Sequence, residues 1–347
     1  MKRSKKRWLF IILLALLSIF FLFKVRSIIS PFIVGIVLAY LLSPVVSWLE
    51  KQGLNRKAAV TVIFIWIIVL LSLTLFFLLP KLYLELGKLT SILPQKIQVI
   101  YEYADHAKNR YSQAGLPSEV TKLIEDQLKD GQNFLIKWLE SLIDRLPDII
   151  VSLGLLIISP ILAIYFMLDW KRINEGVLQL VPQKVRGQWH KFLQEVDYII
   201  QRYIQGNVIV SIIVGLLIGF GVKLIGMDYA FIIGVICGIT NLIPYFGPIL
   251  GGVPSVLLAL GISPSMALKV ALIIFIVQQI EGNIINPKLM SGKVGLHPLW
   301  VVFALLAGGE LGGLLGMFLA IPLAAVIRII IRDVYNHLVA PKALDES

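Results

Sequence analysis

Gln278, Gln279, Glu281, Asn283 and Asn286 crowd into nine residues at the end of an apolar run, and Pro287 follows at once. At the angular spacing of an α-helix, Gln279, Asn283 and Asn286 fall within about 60° of one another, with Gln278 and Glu281 on a neighbouring stripe. A carboxylate and amides this close to hydrocarbon are costly unless paired or hydrated. The group is therefore a candidate pathway for a small polar solute, a monovalent cation or a proton. The alternative is a helix end at the membrane interface. A second acidic candidate, Glu310, stands inside another apolar run, within Gly308-Gly309-Glu310-Leu311-Gly312-Gly313. It reads either as a proton or cation carrier or as the water-exposed tip of a hairpin.

Both candidates stand near broken backbone. Asn241-Leu-Ile-Pro-Tyr-Phe-Gly-Pro-Ile-Leu-Gly-Gly-Val-Pro254 places three prolines and three glycines in fourteen residues of an apolar segment. Proline removes a hydrogen-bond donor and glycine weakens a helix, so regular structure should fail here. At membrane depth such a break is tolerated where protein buries it or where it lines a watery cavity, and in transporters these segments form substrate and ion sites. The expected broken elements are Asn241, Pro244, Gly247, Pro248 and Gly251, then Pro287, then Gly308, Gly309 and Gly312. Leucine at Gly247 or Gly251 is expected to lower transport while abundance stays near normal.

Enzymatic signatures are missing: there is no G-x-x-x-x-G-K-[ST], H-E-x-x-H or G-x-S-x-G pattern. His106, His190, His297 and His337 are scattered without metal-ligand spacing, so neither a metal nor another cofactor is expected. Cys237 is the single cysteine, which rules out an intrachain disulfide and makes it a packing residue.

These residues must be positioned by a membrane protein. The 347-residue chain is 58% hydrophobic and 15% charged, against roughly a quarter charged in soluble domains. Its mean hydropathy is +0.86. The net charge of +11 does not require nucleic acid, because basic residues such as Lys2, Arg3, Lys5, Lys6 and Arg7 flank apolar runs. Membrane topology and anionic headgroups account for them.

Trp8 to Phe23 resembles a signal peptide, but Phe20, Phe21 and Phe23 occupy the place of the small cleavage-site residues, so an uncleaved first helix is expected. Ile28 to Trp48 and Ala58 to Leu79 follow, with Lys51, Arg56 and Lys57 between them on the cytoplasmic side. Residues 81 to 147 carry nine basic and nine acidic residues and no spanning run. Two amphipathic stripes there, separated by Ala114-Gly115-Leu116-Pro117, predict an extracytoplasmic helical pair that either binds a partner or packs within the chain or its oligomer. Asp148 to Leu168 returns inward, 169 to 206 form a cytoplasmic loop, and Asn207 to Gly226 crosses again. Residues 229 to 262 and 298 to 331 are each too long for one straight crossing and read as hairpins. That places the link from Gly282 to Pro298 in the cytoplasm, where a single crossing of each would place it outside. Gly215, Gly219, Gly234 and Gly238 are read as close-packing positions.

With these segments in place, the chain resembles the autoinducer-2 exporter family of permeases from about Ser30 to Pro341. The likeness rests on Pro31-Phe32-Ile-Val-Gly35, Ala39-Tyr40-Leu-Leu-Ser-Pro44, Tyr165-Phe166-Met-Leu-Asp169 and Asn241-Leu-Ile-Pro-Tyr-Phe-Gly-Pro248. It rests further on Asn286-Pro287-Lys288, Gly295-Leu-His-Pro298 and Gly316-Met-Phe-Leu-Ala-Ile-Pro322. The resemblance implies an inner-membrane permease, often with eight helices and oligomeric, whose members include autoinducer-2 exporters and sodium or lithium/proton antiporters. Gln205-Gly206-Asn207 stands where relatives often have Arg-Gly-Gln, so a charge that could meet a polar substrate is absent.

The combined expectation is an all-α polytopic protein with about eight membrane segments, broken or re-entrant helices and an extracytoplasmic helical pair. Its regions are 1–80, 81–147, 148–341 and a short tail at 342–347. It should act as a secondary transporter or exporter of a small polar solute, in a homo-oligomer in the cytoplasmic membrane with both termini inside. The alternatives are a sodium or lithium/proton antiporter using Glu281 or Glu310, and a scaffold that binds a partner through residues 81–147.

Overall fold

The computed structural model describes residues 26–78, 158–179, 181–289 and 296–339, with isolated positions between 80 and 144. The expected first helix, most of the 81–147 pair, the start of the segment at 148, the link residues 290–295 and the tail lie outside the described residues. Among the described residues the secondary structure is helical, without strands. Among the described residues five helices are long and apolar enough to cross a membrane, and two shorter apolar ones accompany them.

The chain divides into two compact units, Met1–Leu73 with Pro147–Trp189 and Thr74–Leu146 with His190–Ser347. In the first unit, α1 (Arg26–Lys51) continues through Pro31 and Pro44 and stops at Gly53, whose φ of +97° suits glycine. Asn55 then caps α2 (Arg56–Leu73), its Oδ1 accepting from the Ala58 amide at 2.8 Å. A wide π turn, Thr74–Leu78, follows α2.

Helix α3, residues 158–179, packs on this pair. Gly35 lets it approach: a Cβ there would stand 2.9 Å from Leu162 Cβ. Ala39, Val46, Ala59, Val60, Ile63, Ala163 and Met167 form the shared core. Arg56 Nε and Nη2 both donate to the Met167 carbonyl, at 2.9 and 2.6 Å, pinning the start of α2 to α3. The stretch 169–206 is mostly helical: α3 runs through its first part, and α4 (Arg186–Leu224) begins well before the apolar run at 207.

In the second unit, α4 meets α5 (Ala230–Thr240) after a turn in which Gly226 has a φ of +83°. Gly215, Gly219, Gly234 and Gly238 form this crossing. A Cβ on Gly215 would stand 2.8 Å from the Gly234 carbonyl and 3.0 Å from Gly238 Cα, so the two backbones touch as the glycine spacing predicts. Helix α6 (Gly247–Leu260) folds back on α5, and α7 (Pro264–Ile280) packs against α6. Ser263 caps α7, accepting from the Met266 amide at 3.1 Å, with Pro264 at the position where a missing N–H costs nothing.

Helix α8 (Pro298–Val339) reverses within itself at Gly312 and Gly313, whose backbone angles are non-helical. In a straight helix, residues 308 and 320 would lie about 18 Å apart along the axis. Here a Cβ on Gly308 would stand 2.9 Å from Ala320 Cβ. The two long runs at 229–262 and 298–331 are therefore both hairpins.

Candidate functional site

The first break is shorter than the sequence motif that marks it. Helix α5 ends at Thr240, the chain turns through Asn241–Phe246, and α6 already begins at Gly247 and continues through Pro248, Gly251 and Pro254. Proline is well tolerated in the first turn of a helix, which is where Pro248 falls. Pro244 lies in the turn itself. The next residue, Tyr245, has a φ of +66°, and the Phe246 amide donates to the Pro244 carbonyl at 2.8 Å across it. A three-residue turn with positive φ at tyrosine is uncommon and strained, and strain of this kind concentrates at functional segments.

Gly247 and Gly251 close the hairpin. A Cβ on Gly247 would overlap the Thr240 carbonyl and stand 2.6 Å from Asn241 Cα, and one on Gly251 would stand 2.7 Å from Thr240 Oγ1. These glycines let α6 lie against α5. Leucine at either would push the two arms apart, so the abundance of such variants should fall along with transport.

Two amides hold the turn. Asn207 of α4, 3% exposed, donates from Nδ2 to the Leu242 carbonyl at 2.7 Å. Asn241, 4% exposed, donates from Nδ2 to Glu281 Oε1 at 3.1 Å. Glu281 Oε2 is also buried, without a hydrogen-bond partner among the described residues. The first broken element and Glu281 just after α7, forty residues apart in sequence, are thus hydrogen-bonded to each other.

The chain just after α7 is a wide π turn, Glu281–Ile285, in which the Asn286 amide donates to the Glu281 carbonyl. Such turns are rare and often occur at functional sites. This one changes the helical register. Regular spacing groups Asn286 with Gln279 and Asn283, but the extra residue rotates it onto the face of Glu281. There Asn286 and Gln278 flank the carboxyl group. Gln279 and Asn283 pair with each other, Asn283 Nδ2 donating to Gln279 Oε1 at 3.1 Å, on an exposed face. Pro287 follows the π turn, in the short helix Asn286–Leu289.

Glu310 belongs elsewhere. It is exposed, two residues before the reversal of α8. Gly309 faces the flexible Met317 side chain, whereas Gly308 and Gly316 bring the two arms into backbone contact. A Cβ on Gly312 would meet open space, and Gly313, with φ +58° and ψ −140°, adopts a conformation suited to glycine.

Sequence reasoning missed Asn207 as a structural partner of the break and missed Tyr245. The first carried a signal, a lone amide at the head of an apolar run. Positive φ at tyrosine carried none.

A half-buried carboxylate hydrogen-bonded to a broken hairpin, among helices long and apolar enough to cross a membrane, fits a polytopic helical membrane protein that moves solutes. The sequence profile of the AI-2E family transporter matches residues 9–336. The chain is 31% identical over 333 residues to the "Putative transport protein YrrI" of Bacillus subtilis, covering 93% of this chain and 94% of that one. It is 29% identical to "Putative transport protein YueF" of the same organism, covering 92% and 91%. To "Putative permease PerM" of Escherichia coli K12 it is 28% identical, covering 93% and 91%. The chain belongs to the AI-2E transporter family.

Proposed function

We propose that the protein is a secondary transporter that carries a small polar solute across the cytoplasmic membrane by alternating access around the Asn241–Phe246 break. The observation that supports this most directly is the Asn241–Glu281 hydrogen bond at 3.1 Å beside a buried, open Oε2. A carboxylate with one oxygen held and the other free accepts a donor from a solute. Its neighbours Gln278 and Asn286 add donors and acceptors, which offset part of the desolvation cost. Movement of α7 relative to the hairpin would break the Asn241 contact and release what is bound.

The same open oxygen favours a second reading, sodium or lithium/proton antiport with Glu281 as the carrier. Proteoliposomes separate the two. Sodium flux driven by a pH gradient supports the antiporter, autoinducer-2 flux without one supports the exporter, and the absence of both fluxes removes the antiporter and autoinducer-2 as the cargo.

The orientation proposed is both termini inside, from basic residues at both chain ends and at Lys51, Arg56 and Lys57. Cysteines introduced at 55, 291 and 345 should be protected from an impermeant thiol reagent in intact cells, while one at 115 reacts. Labelling at 345 without labelling at 115 reverses the topology.

A further inference from the structure

Tyr203, Asn207 and Ser211 lie four residues apart on one face of α4, a line about 12 Å long. All three are buried. What they face connects separate parts of the second unit. The Tyr203 ring lies 6.2 Å, centroid to centroid, from Phe318 on the second arm of α8. Asn207 bonds the Leu242 carbonyl in the first break. Ser211 sits at the crossing with α5, its backbone carbonyl 3.2 Å from where a Cβ on Gly238 would stand.

Asn207 is satisfied by the protein, but its neighbours on this line are not. Tyr203 Oη and Ser211 Oγ are buried without a hydrogen-bond partner among the described residues. Each such group costs about 1–3 kcal/mol if it stays dry. A helical serine can avoid this by bonding the carbonyl four residues back, as Ser255 does with Gly251 at 2.6 Å. Ser211 does not. Two open hydroxyls on either side of a buried amide suit ordered water, which typically bridges groups that the protein leaves unpaired.

We propose that Tyr203, Asn207 and Ser211 line a hydrated track along α4 that admits water and an uncharged polar solute to the first break. Tyr203 and Ser211 are its hydrogen-bonding contacts, and Asn207 is the positioning residue that fixes Leu242 beside it. The three side chains carry hydroxyls and an amide and no charge. They can exchange hydrogen bonds with hydroxyl and carbonyl groups but supply no counter-charge for a bare ion. The proposal rests on reading the break as the transport element.

Cysteine accessibility tests the track without knowledge of the cargo. In full-length protein carrying Cys237→Ala, which removes the single native thiol, Tyr203→Cys and Ser211→Cys are treated in proteoliposomes with 2-hydroxyethyl methanethiosulfonate, an uncharged polar thiol reagent. Val214→Cys, at a fully buried apolar position of the same helix, is the dry control. Modification at 203 and 211 should be at least tenfold faster than at 214, and equal rates overturn the proposal. Tyr203→Phe and Ser211→Ala give a second readout. Hydroxyls bonded to water leave the melting temperature unchanged or lower when removed, whereas a rise in both variants marks a dry core and overturns the track. Fast labelling combined with normal flux in Glu281→Gln would retain the track while removing the transport role assigned to Glu281.

Discussion

The two reversals of the second unit use different chemistry for the same geometric task. The turn at Asn241–Phe246 is partly buried, with Asn241 and Ile243 inside and Tyr245 exposed, and it is held by Asn207 and Asn241 and tied to a carboxylate on another helix. The turn at Gly312–Gly313 is made by glycine, exposed, and closed by backbone contact between Gly308 and Gly316. A chain that needs only to turn round in a membrane can do so with glycine. The amides, the strained tyrosine and the carboxylate at the first turn exceed what reversal demands, and that excess is the reason for proposing solute handling there and not at the second turn.

The largest expected effect removes a reversal altogether. A side chain on Gly316 would overlap the Gly308 carbonyl, and both contacting groups are backbone that cannot swing aside. Gly316→Leu should destabilise the arms by about 3 kcal/mol or more, at the upper end for an overpacked site. Little folded protein should be recovered in detergent. Normal recovery with normal melting would mean that the arms do not meet.

Next in size is Glu281→Gln, which keeps shape and the Asn241 contact but removes charge and proton exchange. Sodium or autoinducer-2 flux in proteoliposomes should fall at least tenfold, a factor worth about 1.4 kcal/mol. Protein abundance should be unaffected. For an antiporter, the variant should also lose its dependence on the pH gradient. Flux within twofold of the parent at every pH would make the first turn as passive as the second.

Asn207→Ala is smaller and acts on position. It leaves the Leu242 carbonyl buried without its 2.7 Å partner, at a cost of about 1–3 kcal/mol. Flux should fall severalfold, and Asn207→Gln should restore only part of it, because the longer side chain must bend to reach the same carbonyl. An unchanged melting temperature in the alanine variant would show that the turn holds itself.

Composition and period made the membrane class, the packing glycines and the existence of two breaks legible in the sequence, because each depends on residue type at short range. The limits of the first break were not legible. Pro248 looks like a breaker in a string of letters, yet it occupies a first-turn position where proline is tolerated. Nor was the placement of Asn286 on the face that Gln278 and Glu281 already shared, since a π turn adds a residue without any compositional mark. The Asn207–Leu242 and Asn241–Glu281 bonds link residues 35 and 40 positions apart, beyond any local pattern.

The smallest expected effect belongs to Glu310→Gln, and it sharpens the comparison because it applies the Glu281→Gln chemistry at the other turn. Glu310 is exposed at the tip of α8, beside glycines that offer no side-chain donor, while Glu281 has amides on its own face and on the first break. An exposed carboxylate exchanges water for no protein partner when it is neutralised, so stability should change by less than about 0.5 kcal/mol. Flux should stay within twofold of the parent. The outcome that breaks the comparison is a dead Glu310→Gln beside an active Glu281→Gln. In that case the glycine turn would be the one that meets the solute, its freedom of backbone would be the working feature, and the polar network at Asn241 would serve only to hold a strained turn closed.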